Sequence, residues 1–321
     1  MPRSGLVTST IVEGEGQMAT CEVLCYGEIG IDNIIQADGL PSPEYAVFPT
    51  SDSYHGGGAA SNTAIWLANL DVNVKLTGNQ IGQDTYGDLI LEGLRQHPKI
   101  HLSLVEQREG VMTPFTRAIV TPDGERSFLI FWYPQAPKVT LTEEMLEGVR
   151  YLALDLYGGP ERFGTAKLAF EAGVSTAIGD VIWPDHPALP FTSIATNSGP
   201  YIRENFPGVD VRQHARKLQA ISGGIVIITD GPEIVYAIDR QGNGFTIQPP
   251  AVNAIDATGA GDAFRAGLLY GFLRGFDLPR SLCWGVAAGS LKVKNLGAAT
   301  TLPDFREIEA LANSLQAQPE I

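Results

Sequence analysis

From residue 22 onward, short apolar runs alternate with amphipathic stretches along the whole chain. Residues 23–26 form a buried-strand pattern that stops at Gly27. Residues 62–70 set Ala64, Ile65, Leu67 and Ala68 on one helical face, residues 72–77 read as a strand, and residues 86–96 as a helix. Residues 116–120 and 127–132 are strand patterns on either side of Pro122-Asp123-Gly124, a strong turn signal. Residues 151–156, 176–178, 193–196 and 225–229 are further short strands separated by helical stretches. Residues 234–239 and 244–247 predict another hairpin, and helices close the chain. Strands alternating with helices predict an α/β fold with a mainly parallel sheet covered on both faces. In the aromatic-rich run 128–133, strand alternation predicts that Phe128 and Ile130 face a core.

Composition narrows the setting. A chain of 321 residues with 44% apolar content reads as soluble and globular, and no apolar run approaches the roughly 20 residues that cross a bilayer. No basic-then-apolar leader opens it. Residues 1–20 are small, polar and Gly-containing, which predicts a flexible N-terminal extension; residues 21–315 are expected as a single domain with a β lid from about 32–56 and 112–135. The three cysteines, Cys21, Cys25 and Cys283, predict no disulfide framework and a cytoplasmic setting. Cys21-x3-Cys25 lacks a second ligand pair, and His55, His97, His101, His186 and His214 show no metal spacing. A net charge of −14 argues against nucleic acid or an anionic membrane as partner, and a nucleotide substrate would then need local cationic help, most simply magnesium.

The candidate chemistry lies at two glycine-rich turns. In the first to be considered, Ala257-Thr258-Gly259-Ala260-Gly261 ends in Asp262 and runs straight into an apolar helical pattern. Such a turn points backbone N–H groups into one hollow at a helix N-terminus, where a phosphate or a transferring phosphoryl group is well held. An aspartate at its mouth can take a proton from an attacking hydroxyl. The second turn, His55-Gly56-Gly57-Gly58-Ala59-Ala60-Ser61-Asn62, allows close backbone approach, and Asn62 can donate and accept hydrogen bonds. Taken alone, it is as compatible with a tight connection as with a sugar site, and Asp32 as compatible with a turn cap.

Together the two turns resemble those of the ribokinase-like (PfkB-type) carbohydrate kinases, over about residues 22–311. The resemblance rests on Gly57-Gly58-Ala59-Ala60-Ser61-Asn62 and Asp256-Ala257-Thr258-Gly259-Ala260-Gly261-Asp262-Ala263-Phe264 in that order. Further matches are residues 27–32, Ile81-Gly82-Gln83-Asp84-x-x-Gly87 and Thr229-Asp230-Gly231. Asp123-Gly124-Glu125-Arg126-Ser127-Phe128 resembles the lid strand of fructokinases and 2-keto-3-deoxygluconate kinases. The resemblance implies a three-layer α/β/α domain with a small β lid, and ATP-dependent phosphoryl transfer to a sugar hydroxyl. It implies Asp262 as catalytic base and the backbone of Gly259, Ala260 and Gly261 as anion hole. Asp32, Gly57, Gly58 and Asn62 match sugar-binding positions; Asn197, Thr229 and Gly231 match nucleotide-binding ones. Asp256 matches an acid that helps hold a monovalent cation such as K⁺, and Mg²⁺ is expected with ATP. A homodimer through the lid follows by analogy only.

Three positions depart from the family pattern. Where the family commonly has Asn-x-x-Glu, with the Glu organising water around magnesium, this chain has Asn197-Ser198-Gly199-Pro200. Proline binds neither magnesium nor its waters, which leaves Glu204, Asp180 or Asp155 as substitutes, metal held mainly by ATP, or a catalytically silent sugar-binding relative. Ala59 replaces a frequent lysine, and Ala257 a Thr or Ser. Arg117, Arg126, Lys138 and Arg162 are the cations near the expected site, but the sequence does not place them. A neutral sugar is therefore preferred, followed by a nucleoside and then a sugar acid or phosphosugar. Cys283 and Trp284 fit either a core helix or the wall of an adenine pocket.

Overall fold

The computed structural model describes residues 21–122, 126–180 and 183–320. The expected N-terminal extension and the tip of the Pro122-Asp123-Gly124 turn lie outside the described residues.

The chain opens with β1 (Val23–Gly27), β2 (Gly30–Ala37), β3 (Pro49–Gly57), α1 (Ala59–Asn69) and β4 (Val74–Gly78). There follow β5 (Ile81–Gly82), α2 (Thr85–Arg95), β6 (Ile100–His101), β7 (Gln107–Arg108), β8 (Phe115–Val120) and β9 (Arg126–Phe131). The middle holds β10 (Tyr151–Leu154), α3 (Glu161–Glu171), β11 (Ser175–Gly179), β12 (Ile194–Ser198), α4 (Gly199–Asn205) and α5 (Val211–Ser222). The last part comprises β13 (Ile225–Thr229), β14 (Val235–Ile238), β15 (Gly244–Ile247), α6 (Ala260–Leu273), α7 (Leu278–Lys292), α8 (Phe305–Ser314) and β16 (Gln318–Pro319).

Ten strands form the central sheet in the order β16-β15-β14-β13-β12-β11-β10-β1-β4-β6. The pairings from β6 to β13 are parallel, and β14, β15 and β16 are added antiparallel at one edge. Strand alternation splits the core in two. Val23 and Cys25 of β1 enter one apolar cluster with residues of α1, α6, α7 and α8; Leu24 and Tyr26 enter another with residues of α3, α4 and α5. Helices thus cover both faces, as the alternating pattern predicts, and each buried Leu, Ile or Val adds roughly 1.5–3 kcal/mol of burial. Cys283 and Trp284 belong to the core, where Trp284 packs 4.4 Å from the Tyr270 ring and 5.8 Å from Phe305.

A second sheet, ordered β3-β2-β8-β9, stands apart from the first, and β5 pairs with β7. Its central pairing, β2 with β8, is parallel and joins distant segments, with Ile31 beside Phe115. Neither β2 nor β3 has the alternation that announces a half-buried strand: β2 is mostly buried and β3 mostly exposed along its length. Strand β9 corrects the expectation for Phe128 and Ile130, which are 47% and 66% exposed. The reason is position: β9 is the edge strand of this sheet and pairs with β8 on one side only among the described residues. Helix α1 begins at Ala59, ahead of its apolar periodicity, because Gly58 at φ 90° ends the preceding strand as its N-cap.

Candidate active site

The parallel strands converge at their carboxyl ends on one cleft, the usual ligand position of open α/β sheets. Glu28 follows β1, Asp155 follows β10, Asp180 follows β11, Asn197 is the last but one residue of β12, and Thr229 ends β13. The N-termini of α1 and α6 meet there as well, where Asn62 Nδ2 donates to Asp262 Oδ2 over 3.1 Å.

The turn before α6 is built by Gly259, which caps the helix at φ 74°, ψ 6°. Ala298 lies where a Cβ at Gly259 would go, so conformation and space both require glycine. Ala260 N–H donates back to the Ala257 carbonyl at 3.2 Å, and the first intrahelical bond is Ala263 N–H to Gly259 O at 3.0 Å. The Gly261 and Asp262 amides therefore remain at the mouth of α6 without an intrahelical acceptor. The expected anion hole of Gly259, Ala260 and Gly261 thus sits at a true helix N-terminus, and the amide of Asp262, not singled out from sequence, belongs to the same rim.

Asp262 is partly exposed, and its carboxyl is pushed up to about 6. Burial is the main cause; the Arg265 guanidinium and the Asn62 hydrogen bond oppose it, and Asp155 and Asp180 add to it. The group is therefore ionised at neutral pH yet basic enough to accept a proton. Asp32, on β2, lies flat against Gly57, where any Cβ would collide with its carboxylate. Burial, with Asp262 and Asp256 nearby, pushes Asp32 up to about 7. Gly58, Asn62, Asp32 and Asp262 are thus gathered around the ends of α1 and α6. The Oδ1 of Asn62 is buried without a hydrogen-bond partner among the described residues.

Two groups in the cleft, Glu28 and Arg265, escaped sequence reasoning, and the structure places the named acids and cations around them. Glu28 is pushed up to about 8, first by burial and then by Asp155. Asp155 accepts from the Glu28 amide at 2.6 Å and forms a fully buried pair with Arg162, Nη2 to Oδ1, at 3.2 Å. Arg162 therefore belongs to the site, with Nη2 on Asp155 and with Nε and Nη1 lacking a hydrogen-bond partner among the described residues. Lys138 donates to the Tyr133 carbonyl, and Arg117 lies 5.7 Å over the Phe115 ring on the small sheet. Arg265 is 6% exposed, one turn along α6 from Asp262, and presses against Gly179 beside Asp180. Its Nε has no hydrogen-bond partner among the described residues. The signal that could have found it is its spacing, three residues beyond the candidate base on one helical face. Asp180 accepts from Tyr157 Oη at 2.8 Å.

Of the expected nucleotide positions, Asn197 is 2% exposed with both amide atoms lacking hydrogen-bond partners among the described residues, Thr229 Oγ1 donates to the Asn197 carbonyl at 3.3 Å, and Gly231 is exposed at φ 58°. Pro200 is exposed in the first turn of α4, and Glu204 points to solvent on the same helix. A cavity of about 430 Å³ opens beside this site, lined among others by Ile31, His55, Ser61, Leu94 and His97; Asp32, Asn62 and Asp262 do not line it.

Comparison with known proteins gives these features a family. The model of the pfkB family carbohydrate kinases matches residues 21–155 and 206–304. A nucleoside kinase of Methanocaldococcus jannaschii is 24% identical over 306 residues, 89% of this chain and 95% of that protein. A 5-dehydro-2-deoxygluconokinase of Shouchella clausii is 27% identical over 279 residues, 79% of this chain and 85% of that protein. The structure of Arabidopsis thaliana ribokinase complexed with ribose and ATP superposes with a TM-score of 0.77 at 20% identity, covering 92% of this chain and 99% of that one. The fold is thus ribokinase-like, and the chain belongs to the PfkB family of carbohydrate kinases.

Proposed function

We propose that this kinase transfers the γ-phosphoryl group of ATP to a hydroxyl of an uncharged sugar, with Asp262 as general base. One observation carries the reading: a carboxylate raised to about 6 sits at the N-terminus of α6, hydrogen-bonded to Asn62 and next to free helix amides. The acceptor hydroxyl gives its proton to Asp262 while its oxygen bonds to the γ-phosphorus; the bond to the β,γ-bridging oxygen breaks and ADP leaves with that electron pair. The Gly261 and Asp262 amides, with Gly259 and Ala260 shaping the turn, hold the charge of the group in flight.

Asp32, Gly57, Gly58 and Asn62 hold the acceptor. Glu28, Asp32 and Asp155 line that end; Lys138 donates to the Tyr133 carbonyl and Arg162 Nη2 to Asp155, while Arg162 Nε and Nη1 have no hydrogen-bond partner among the described residues. Three carboxyl side chains, able to accept from and donate to hydroxyls, suit a neutral sugar better than the carboxylate of a sugar acid. Nucleotide contacts come from Asn197, Thr229 and Gly231. Magnesium brought with ATP would neutralise phosphate charge. Asp180, whose carboxylate accepts a hydrogen bond from Tyr157, is the residue that would hold that complex through its waters, whereas Asp155 is paired with Arg162.

Residues 21–315 act as one domain, with the sheet β3-β2-β8-β9 as a lid. Tyr45, Phe48, Leu129 and Ile130 are exposed on it or its loops, which supports a homodimer formed through the lid. No helix among the described residues is long and apolar enough to cross a membrane, and the three cysteines are free, in keeping with a cytoplasmic enzyme. A second reading, a silent sugar-binding relative, is favoured by Pro200 alone. An ATP-consumption screen over sugars, sugar acids and nucleosides, with Asp262→Asn as control, separates the readings. Turnover of a tenth of wild type or more in the Asn variant would remove Asp262 as base, and sugar binding without turnover in the wild type would favour the silent relative.

A further inference from the structure

Lysine is among the residues least often buried, and a buried ammonium needs close oxygen partners to offset its lost hydration. Lys292, at the end of α7, is 1% exposed. Its Nζ donates to the Asp256 carbonyl at 2.6 Å and to the Asn295 carbonyl at 3.2 Å, and lies 3.8 Å from Asp256 Oδ2. Two carbonyl oxygens and a carboxylate oxygen around one positive centre are the hard-oxygen surroundings that a potassium ion prefers. The cluster stands directly behind the turn that leads to Asp262.

The Asp256 carboxylate is otherwise filled with hydrogen-bond donors. Oδ1 accepts from Thr258 N at 2.8 Å and Thr258 Oγ1 at 2.7 Å; Oδ2 accepts from Gly297 N at 2.8 Å. Burial works against its charge, but these bonds and Lys292 together hold its carboxyl below the ordinary carboxylate value. The Ile255 and Asp256 amides donate to Val293 O, so the stretch 255–258, the end of α7 and the loop 295–297 are tied at one point. The donor set implied for a monovalent cation does not fit one here, because the ammonium already occupies the carbonyl oxygens.

We propose that Lys292 is a built-in replacement for a monovalent cation behind the phosphoryl-transfer turn, so that this protein does not depend on potassium. The functional part rests on the reading of residues 256–262 as that turn; the structural part does not. Because the ammonium is covalently tethered, the turn keeps its shape at any potassium concentration.

The test compares KCl with choline chloride at equal ionic strength, using thermal melting and, with an acceptor from the screen, turnover. Wild type should melt at the same temperature and turn over within about twofold in both salts. Lys292→Ala leaves an oxygen-lined hole. In choline it should melt lower and lose activity, and KCl or NH₄Cl should restore its melting temperature and raise turnover about tenfold or more. Lys292→Met, which fills the hole with an apolar chain, should not respond to either salt. Potassium stimulation of the wild type overturns the proposal, and so does a folded Lys292→Ala that ignores both cations. Should Lys292→Ala fail to fold, the wild-type salt comparison still decides. If no acceptor is ever phosphorylated, the kinase reading fails by itself, while the melting comparison still judges Lys292.

Discussion

Replacing Asp262 by Asn should abolish catalysis and at the same time stabilise the protein. Burial lifts the carboxyl from the ordinary 3.8 to about 6, so folding disfavours its charged form. At 1.36 kcal/mol per pH unit, the difference amounts to about 3 kcal/mol at most, and less once Asp155 and Asp180 readjust. The sign follows from proton binding. Between pH 3.8 and about 6 the native state holds this proton more tightly than the unfolded chain, so its contribution to stability falls as pH rises through that window. Above it, wild type carries the whole cost of a buried charge, and an amide does not. Asn keeps an oxygen that can accept from Asn62, so little packing is lost. At pH 8, Asp262→Asn should therefore melt a few degrees higher, at roughly 2 °C per kcal/mol for a chain of this size, and at pH 4 the advantage should vanish. Turnover should fall by about 10²–10⁴, and the acid limb of kcat/KM near pH 6, present in wild type, should be gone. Differential scanning fluorimetry across pH and a coupled ADP assay measure both. A variant that melts lower than wild type at pH 8 refutes the electrostatic account; one that keeps a tenth of the activity refutes the base.

Further outcomes can be checked separately. Gly259→Val forces a branched side chain into φ 74° and within 2.5 Å of the Ala298 Cβ, and should cost about 3 kcal/mol in urea unfolding; a loss under about 1 kcal/mol would mean the turn is free to rearrange. Arg162→Met strands the Asp155 carboxylate in a fully buried position and should cost about 3–5 kcal/mol, whereas Arg162→Met with Asp155→Leu should recover most of it. Arg265→Met removes the cation that holds Asp262 down, so the acid limb of kcat/KM should move above pH 6, while Arg265→Lys should leave it nearly in place; an unmoved limb in the Met variant would show that Arg265 does not act on Asp262.

The parts of the fold that could be read from sequence were those with a clean period. Residues 225–229 and 23–27 are short apolar runs between breakers, and both are central strands. Of the small sheet, β8 and β9 were legible on either side of the Pro122-Asp123-Gly124 turn, whereas β2 and β3 were reached only through the family resemblance, because β2 is mostly buried and β3 mostly exposed and neither alternates. For Phe128 and Ile130 alternation itself misled, since it reports two faces without saying that either is covered. At the site, both glycine turns were legible because glycine is chosen for local conformation. Arg265, Glu28 and the Arg162–Asp155 pair were not, since their meaning comes only from strands and helices brought together by the sheet order. The role of Lys292 was hidden for the same reason: it ends a mostly buried helix, and the carbonyls that receive its ammonium, those of Asp256 and Asn295, lie outside that helix.

The parallel pairing of β2 with β8 has a consequence for the order of assembly. A hairpin can close locally, but this pairing cannot form until the chain between the two strands has placed them side by side. Loop-closure entropy is therefore met in full before the small sheet gains its first central bond, which puts it late in folding and among the first regions to open. Asp32 lies on that sheet, whereas Asp262 and its turn lie on α6 within the main core. Fluctuations that release the small sheet would dismantle the acceptor end and spare the phosphoryl end, so amide exchange at β2, β3, β8 and β9 would run ahead of exchange at α6 and α7. Acceptor affinity would then fade on warming before the enzyme as a whole unfolds.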